Sequence, residues 1–473
     1  MITFCFLEEI MKKLKDEVDL TEIDVKSGIF HLALPMMAGG FLINMFSVVD
    51  LFFVGKLGHI ALAGLSVSVM VLTLITICTT GVTTGTVALI SHFVGRKDYE
   101  SASQVLWQTM FLSVFFWFFL ALTGIFWVEK LLLLFGATGQ VLETAKPYLK
   151  ISFLSSGFLF FHVSLNQAMR GAGDAKTPMY VLIAANIINL ILDPLLIFGI
   201  GFFPRMEVAG SALTTAFSRF VGFATIAIIL FRKKEGLNLS FKHLGIFPVF
   251  IKRIMSIGFF SSAQLLMNNI SLLFLTRLIA FHGPEVLAAY GVGAKIRMLL
   301  VVPGFGFANA SAILMGQNMG ADKEDRAKKS MMLSIRLYEL LLAPAVILIF
   351  LFAPWIISVF NNNSTVVSTG GTFLRYVMIT FPFLGVSMII QRGLTGVGDT
   401  AFPTVLVGFF SLAVRIPLAY FLSLKTGMGT NGIWLGINAS DALMCIAILA
   451  YFRTARWKSV YVRHRSIMEE SCA

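Results

Sequence analysis

The sequence predicts an all-α membrane protein: twelve transmembrane helices in two six-helix lobes, related by a pseudo-two-fold axis along the membrane normal. Composition, the number of apolar runs and an internal repeat predict it. Of 473 residues, 57% are hydrophobic and 13% charged, with a mean hydropathy of +0.85. A soluble domain carries roughly a quarter charged residues. A water-soluble globule and a disordered chain are both excluded, which leaves an integral membrane protein.

A spanning helix needs roughly 20 apolar residues. Runs of that kind lie near 29–55, 61–91, 102–128, 142–169, 178–200, 208–231, 250–281, 286–315, 328–352, 367–391, 402–424 and 431–453. Several exceed the minimum, which predicts tilt or bending. Residues 1–28 mix acids and bases without a signal-peptide pattern and read as a cytoplasmic tail. The lobes are expected at 29–231 and 250–453, joined by a cytoplasmic linker at 232–249 and followed by a basic cytoplasmic tail at 454–473.

Lys and Arg crowd both tails and the even-numbered connections and are sparse in the odd-numbered ones. That asymmetry puts both termini in the cytoplasm of a multi-pass protein of the inner or plasma membrane. The net charge of +12 then follows from topology, with no nucleic-acid partner required. The tail bases Arg456, Lys458, Arg463 and Arg465 are placed to meet anionic lipid headgroups. Cys5, Cys78, Cys445 and Cys472 are too scattered for a disulfide frame or a zinc site. No organic cofactor is implied, and nothing suggests more than a monomer.

The two halves align at one constant offset. Gly58 meets Gly283, Gly81 meets Gly306 and Gly95 meets Gly320. The stretch Gly171-Ala-Gly173-Asp174 with Pro178 meets Gly396-Val-Gly398-Asp399 with Pro403. Six spans is an even number, so the halves share one orientation, and paired lobes around a central cleft suit alternating access.

Charges inside a membrane are costly and mark function. The acids within spans are Asp50, Asp193, Glu339 and Asp441. Asp50, Asp193 and Thr215 all fall roughly 8–10 Å below the outer surface at 1.5 Å per residue. Asn189 shares a helix face with Asp193. Two carboxylates, an amide and a hydroxyl at one depth can hold Na⁺ or a proton. Pro194 follows Asp193, and Pro35 lies in the same span as Asp50. Each removes a backbone donor, and both are hinge candidates. In the second half Leu275 replaces Asp50, and Ile416-Pro417 replaces Asp193-Pro194, so Pro417 keeps the kink without the acid. The ion site is therefore expected in the first lobe. Lys295 and Arg297 sit near the middle of span 8, where they could meet an anionic group or pair with Glu339 or Asp441.

These residues resemble the multidrug and toxic compound extrusion (MATE) family of transporters over nearly the whole chain. The carriers are Pro35 with Val49-Asp50-Leu51-Phe52-Phe53-Val54-Gly55-Lys56-Leu57-Gly58, and Gln167-Ala-Met-Arg170-Gly171-Ala-Gly173-Asp174-Ala-Lys-Thr-Pro178. The others are Asn186-Ile-Ile-Asn189-Leu-Ile-Leu-Asp193-Pro194 and Gly210-Ser-Ala-Leu-Thr-Thr215. The resemblance implies a secondary exporter of amphiphilic, mainly cationic small molecules, driven by inward H⁺ or Na⁺. It places the cation site on Asp50, Asn189, Asp193 and Thr215. One branch of the family has an acid in span 7; here that region reads Gln264-Leu-Leu-Met-Asn268-Asn269. The departure resembles the DNA-damage-inducible-type bacterial and archaeal branch. Asn268 and Asn269 join Lys295 and Arg297 as candidates to line the substrate cleft.

Two alternatives remain. A lipid-linked oligosaccharide or anionic-substrate flippase of the same superfamily would use Lys295 and Arg297. An intramembrane aspartyl protease would use the two Gly-x-Gly-Asp copies. Yet both copies fall between spans with a proline four residues on, which better suits tight turns.

Overall fold

In the computed structural model, which describes residues 19–462, no strand occurs among the described residues. Expectations for 1–18 and 463–473, including those on Cys5, Cys472, Arg463 and Arg465, lie outside them. The first lobe's spans are α1 (Val25–Gly55), α2 (His59–Gly95), α3 (Tyr99–Phe126), α4 (Gly139–Leu154 with Ser156–Gly171), α5 (Lys176–Phe198) and α6 (Glu207–Arg232). Those of the second are α7 (Pro248–Ala280), α8 (Pro284–Gly320), α9 (Glu324–Ser358), α10 (Ser364–Gly396), α11 (Ala401–Leu424) and α12 (Thr430–Arg453). Eleven are single apolar helices, and α4 is the twelfth, bent by 47°.

The bend in α4 has a local cause. The break at Ser155 frees backbone carbonyls, which lipid cannot satisfy. Ser156 Oγ donates to Phe153 O at 2.7 Å, while Ser155 Oγ at 2.7 Å is a second donor to Ile151 O, which keeps its helical bond from Ser155 N. Trp117 Nε1, from α3, donates to Leu154 O at 2.8 Å. Elsewhere hydroxyls within spans turn back on their own helix, as Thr79 does to Ile75 O and Thr86 to Val82 O, each at 2.8 Å.

The repeat read in the sequence recurs in the geometry. Gly58 and Gly283 precede α2 and α8 with φ of 111° and 112°. Gly173 and Gly398 take φ of 104° and 84°, and the next residue closes the same turn. Asp174 N donates to Met169 O, and Asp399 N donates to Leu394 O, both at 3.0 Å. These positive φ values are what glycine supplies cheaply.

The described residues form two compact units, one containing Ala38–Gly258, the other Asp24–Met37 and residues 259–462. The division departs in two places from the boundaries expected at 29–231 and 250–453. The start of α1 packs in the second unit, and the start of α7 packs in the first. Close backbone approach holds both. A Cβ on Gly258 would lie 2.5 Å from the Gly81 carbonyl oxygen, and one on Gly306 would lie 2.9 Å from that of Ala33. Gly258 and Ala33 are partners in the repeat, as are Gly81 and Gly306, so one contact is built twice. Hydropathy cannot reveal this, because both ends of a span are equally apolar. The change of unit in α1 falls two residues after Pro35.

Candidate cation site and second-lobe charge cluster

Asp50 comes from α1, Asn189 and Asp193 from α5, and Ser211, Thr214 and Thr215 from α6. Two sequence features bring α5 and α6 together. A Cβ on Gly210 would lie 2.8 Å from the Leu196 carbonyl, so glycine lets the backbones touch. Met206 N donates to Leu196 O at 2.9 Å and fixes the entry of α6. Ser211, Thr214 and Thr215 then lie beside the acid on α5.

All four residues expected at the cation site meet. Asn189 Nδ2 lies 3.4 Å from Asp193 Oδ1 and 3.4 Å from Thr215 Oγ1. Thr215 Oγ1 lies 3.5 Å from Asp50 Oδ2. The hydroxyl closest to Asp193, however, belongs to Thr214, which donates to Oδ1. Thr214 was missed because adjacent threonines cannot be told apart without the helix's rotation. Its full burial, against partial exposure of Thr215, settles which faces the acid. Ser211, one turn earlier on that face, was missed for the same reason.

Asp193 is 0% exposed, Asn189 1% and Asp50 9%. Asp50 Oδ1, Asp193 Oδ2, Asn189 Oδ1 and Ser211 Oγ are buried without a hydrogen-bond partner. Leaving buried oxygens unpaired is expensive, and concentrating several in one place is a signal of an occupant. The two carboxyl groups are close enough to act on one another, and Arg219 of α6 and Tyr148 of α4 are within electrostatic reach of Asp50. Arg219 offsets one negative charge of two. Among the described residues no group of three or more His, Cys, Asp or Glu could hold a metal. The donor set here is instead two carboxylates with amide and hydroxyl oxygens, which suits a proton or a small hard cation. Pro194 lies inside α5, directly after Asp193. It leaves the carbonyl one turn back without its helical donor.

The second lobe carries a different cluster. Arg415 of α11 donates through Nη2 to Asp441 Oδ1 of α12. Arg297 Nη2 of α8 lies 3.5 Å from Asp441 Oδ2. Two guanidiniums thus share one carboxylate, and Arg415 Nε is buried without a partner. Lys295 is exposed and forms neither of the pairings with Glu339 or Asp441 expected as its alternative. Asn268 Oδ1 accepts from Ser411 Oγ at 3.2 Å, and Asn269 Nδ2 donates to Leu265 O of its own helix at 2.8 Å. Both asparagines are therefore engaged within the lobe. The region before Pro417 is a π-helical segment, Phe409–Val414, whose Ser411 carbonyl accepts from Ser271 Oγ at 2.8 Å.

The Gly-x-Gly-Asp copies shape turns. Asp174 Oδ1 accepts from Thr177 N at 2.9 Å, and Asp399 Oδ2 accepts from Tyr451 OH at 2.5 Å. Burial outweighs that bond and holds the Asp399 carboxyl above the ordinary carboxylate range.

Twelve apolar spans in two repeated lobes, with charged clusters buried among them, define a multi-pass membrane protein. The MatE family model matches residues 35–195 and 257–421, and the chain belongs to that family, the multidrug and toxic compound extrusion transporters. The probable multidrug resistance protein NorM of Thermotoga maritima is 27% identical over 457 residues, covering 94% of this chain and 96% of the relative. A protein of Shewanella oneidensis described as an FAD transporter is 26% identical over 434 residues, covering 92% of this chain and 96% of its own. A solved MATE structure in a bent conformation superposes with a TM-score of 0.86 at 24% identity, over 96% of this chain and 98% of that one.

Proposed function

We propose that the chain is a secondary exporter of amphiphilic small molecules, mainly cationic, antiported against H⁺ or Na⁺ by alternating access. The observation that carries this reading is the set of four unpartnered buried oxygens shared by α1, α5 and α6. In the mechanism proposed, Asp50 and Asp193 take up the cation from outside, with Asn189, Ser211, Thr214 and Thr215 as neutral ligands. Neutralising the acids removes the repulsion that separates them. That lets α1, α5 and α6 repack about Pro35 and Pro194, with release of substrate. The inward-facing state loses the cation to the cytoplasm and reloads. Reciprocal linkage requires cation and substrate to weaken each other's binding.

The test is efflux of a fluorescent cationic dye from energised vesicles, with the H⁺ and Na⁺ gradients collapsed in turn. Parent efflux should follow one gradient and be lost in Asp193→Asn. Efflux that follows neither gradient and survives the substitution would overturn the reading.

A second reading, that the cargo carries an anionic group, is favoured by the Arg297–Asp441–Arg415 cluster. Its excess positive charge and unpartnered guanidinium Nε suit a phosphate or carboxylate. The Shewanella oneidensis relative, described as an FAD transporter, lends it support. Competition of dye efflux by a flavin nucleotide, lost in Arg415→Met, would favour it; dye efflux indifferent to anionic competitors would remove it.

A further inference from the structure

The second lobe holds one more acid within a span. Glu339 lies near the middle of α9, fifteen residues beyond Glu324 in a helix of 35. It is half-buried, and its Oε1 is buried without a hydrogen-bond partner. That oxygen points at the bare backbone of α10, where a Cβ on Gly385 would fall 2.5 Å from it. A glycine here leaves the carboxyl room that any other residue would fill.

The surroundings offer Glu339 no counter-charge. On its own helix Arg336, one turn earlier, is exposed and makes no ion pair with it, and Lys295 of α8 is exposed likewise; the adjacent Tyr338 turns its hydroxyl to Leu300 O of α8 at 3.4 Å. From α12 the thiol of Cys445 is within electrostatic reach and carries no positive charge. Asp441, one turn before Cys445, is occupied by Arg297 and Arg415. Arg375 of α10 is turned to Phe350 O. Among the described residues no Lys, Arg or His pairs with Glu339. A lone charge here would be uncompensated at membrane depth, which is costly. A metal cation would also find too few oxygens, because a hard cation needs several.

A polar line leads away from this place. Cys445 is beside Ser387 of α10. Ser387 Oγ accepts from Gln391 Nε2 at 2.7 Å, and Gln391 Oε1 accepts from Gln264 Nε2 of α7 at 2.6 Å. Ser387 and Gln391 lie on α10 toward its C-terminal end, so polar side chains continue from the neighbourhood of Glu339 in that direction.

We propose that Glu339 is a second protonation site, housed in the second lobe and separate from the Asp50–Asp193 cluster. It binds H⁺ alone: the carboxyl is neutral while packed against Gly385 and ionises when α9 and α10 part. The proposal does not depend on the first-lobe reading, and the test separates the two. The full-length protein in lipid nanodiscs would be titrated in H₂O and D₂O and followed by infrared difference spectroscopy. The expected result is a deuterium-sensitive carbonyl band of a neutral carboxylic acid that titrates in the parent. It should persist in Asp193→Asn, shift in Glu339→Asp and vanish in Glu339→Gln. The Asp variant guards against loss through misfolding. A full set of bands in Glu339→Gln, or no change in Glu339→Asp, would overturn the proposal whatever becomes of the first-lobe site. Loss of the band in Glu339→Gln with Na⁺-driven or H⁺-driven efflux intact in Asp193→Asn would sustain it and sink the first-lobe reading instead.

Discussion

The two lobes share a backbone plan and differ in charge. In the first, α1, α5 and α6 gather Asp50 and Asp193, with Arg219 the cation within reach of Asp50. In the second, α8, α11 and α12 gather Arg297 and Arg415 against the single carboxylate of Asp441. Leu275, partner of Asp50 in the repeat, is an apolar side chain buried at 4% exposure. Phe373, partner of Tyr148, packs 4.6 Å from Trp434 and 5.3 Å from Tyr290, centroid to centroid. A duplicated scaffold thus keeps its turns and crossing points while its buried chemistry diverges. The turns answer to backbone geometry, which the repeat must preserve in both lobes. The charges answer to what each lobe holds.

Substitutions can break that comparison or sharpen it. The largest effect should come from Asp193→Asn paired with Arg415→Met. The first should abolish gradient-driven efflux, and the second should leave the choice of driving ion unchanged, as read by dye efflux under separate H⁺ and Na⁺ gradients. Equal loss of ion dependence in both would show that the lobes do not divide the work. Next comes Asp441→Asn, which leaves two guanidiniums without their shared anion. Removing one partner of a buried ion pair costs ~3–5 kcal/mol, so thermal unfolding in detergent should shift down clearly. Combining it with Arg415→Met should recover part of the loss.

A smaller effect is expected from Thr214→Val. It removes one hydroxyl donor to a buried carboxylate, worth about 1.5–3 kcal/mol for a hydrogen bond to a charged group. Na⁺ affinity should fall about tenfold or more, since a ligand oxygen is lost and 1.4 kcal/mol is a factor of ten, whereas proton uptake should not weaken, because the lost donor favours the ionised carboxylate. Thr215→Val should cost less, because its hydroxyl sits at 3.5 Å from Asp50. The reverse order would mean that Thr215 is the ligand and Thr214 a helix-packing residue. Least of all, Glu324→Ala removes an exposed pair with Lys328 and Lys458, both at 2.5 Å. The two lysines hold the Glu324 carboxyl below its ordinary range. Its contribution is therefore present at neutral pH and fades as pH falls through the lowered value. Exposed pairs are worth under about 1 kcal/mol, so unfolding at pH 7 should barely move.

Much of the fold was legible because its causes are local. Composition and run length reveal spans, and glycines at equal spacing reveal the repeat, since Gly58 and Gly283 are held by their φ values. The acids of the candidate site were legible because charge in an apolar run is rare. The rest depends on rotation and packing. Which of Thr214 and Thr215 faces Asp193 depends on how α6 is turned. That the start of α7 belongs with the first unit depends on Gly81 and Gly258 touching. Arg297 and Asp441 were visible as charges, but their pairing needed α8 and α12 side by side. Lys295, two residues earlier, was an equal candidate and points elsewhere.

The central claim is that the first lobe carries the coupling cation, and the most direct test is to count cations bound by the purified protein. Na⁺ binding by calorimetry and proton release on addition of Na⁺ or dye would be compared between the parent and Asp50→Asn/Asp193→Asn. The account predicts that the double variant loses the Na⁺ heat, or the dye-linked proton release, whichever the parent displays. Undiminished binding in the double variant, at the parent's affinity and stoichiometry, would contradict it.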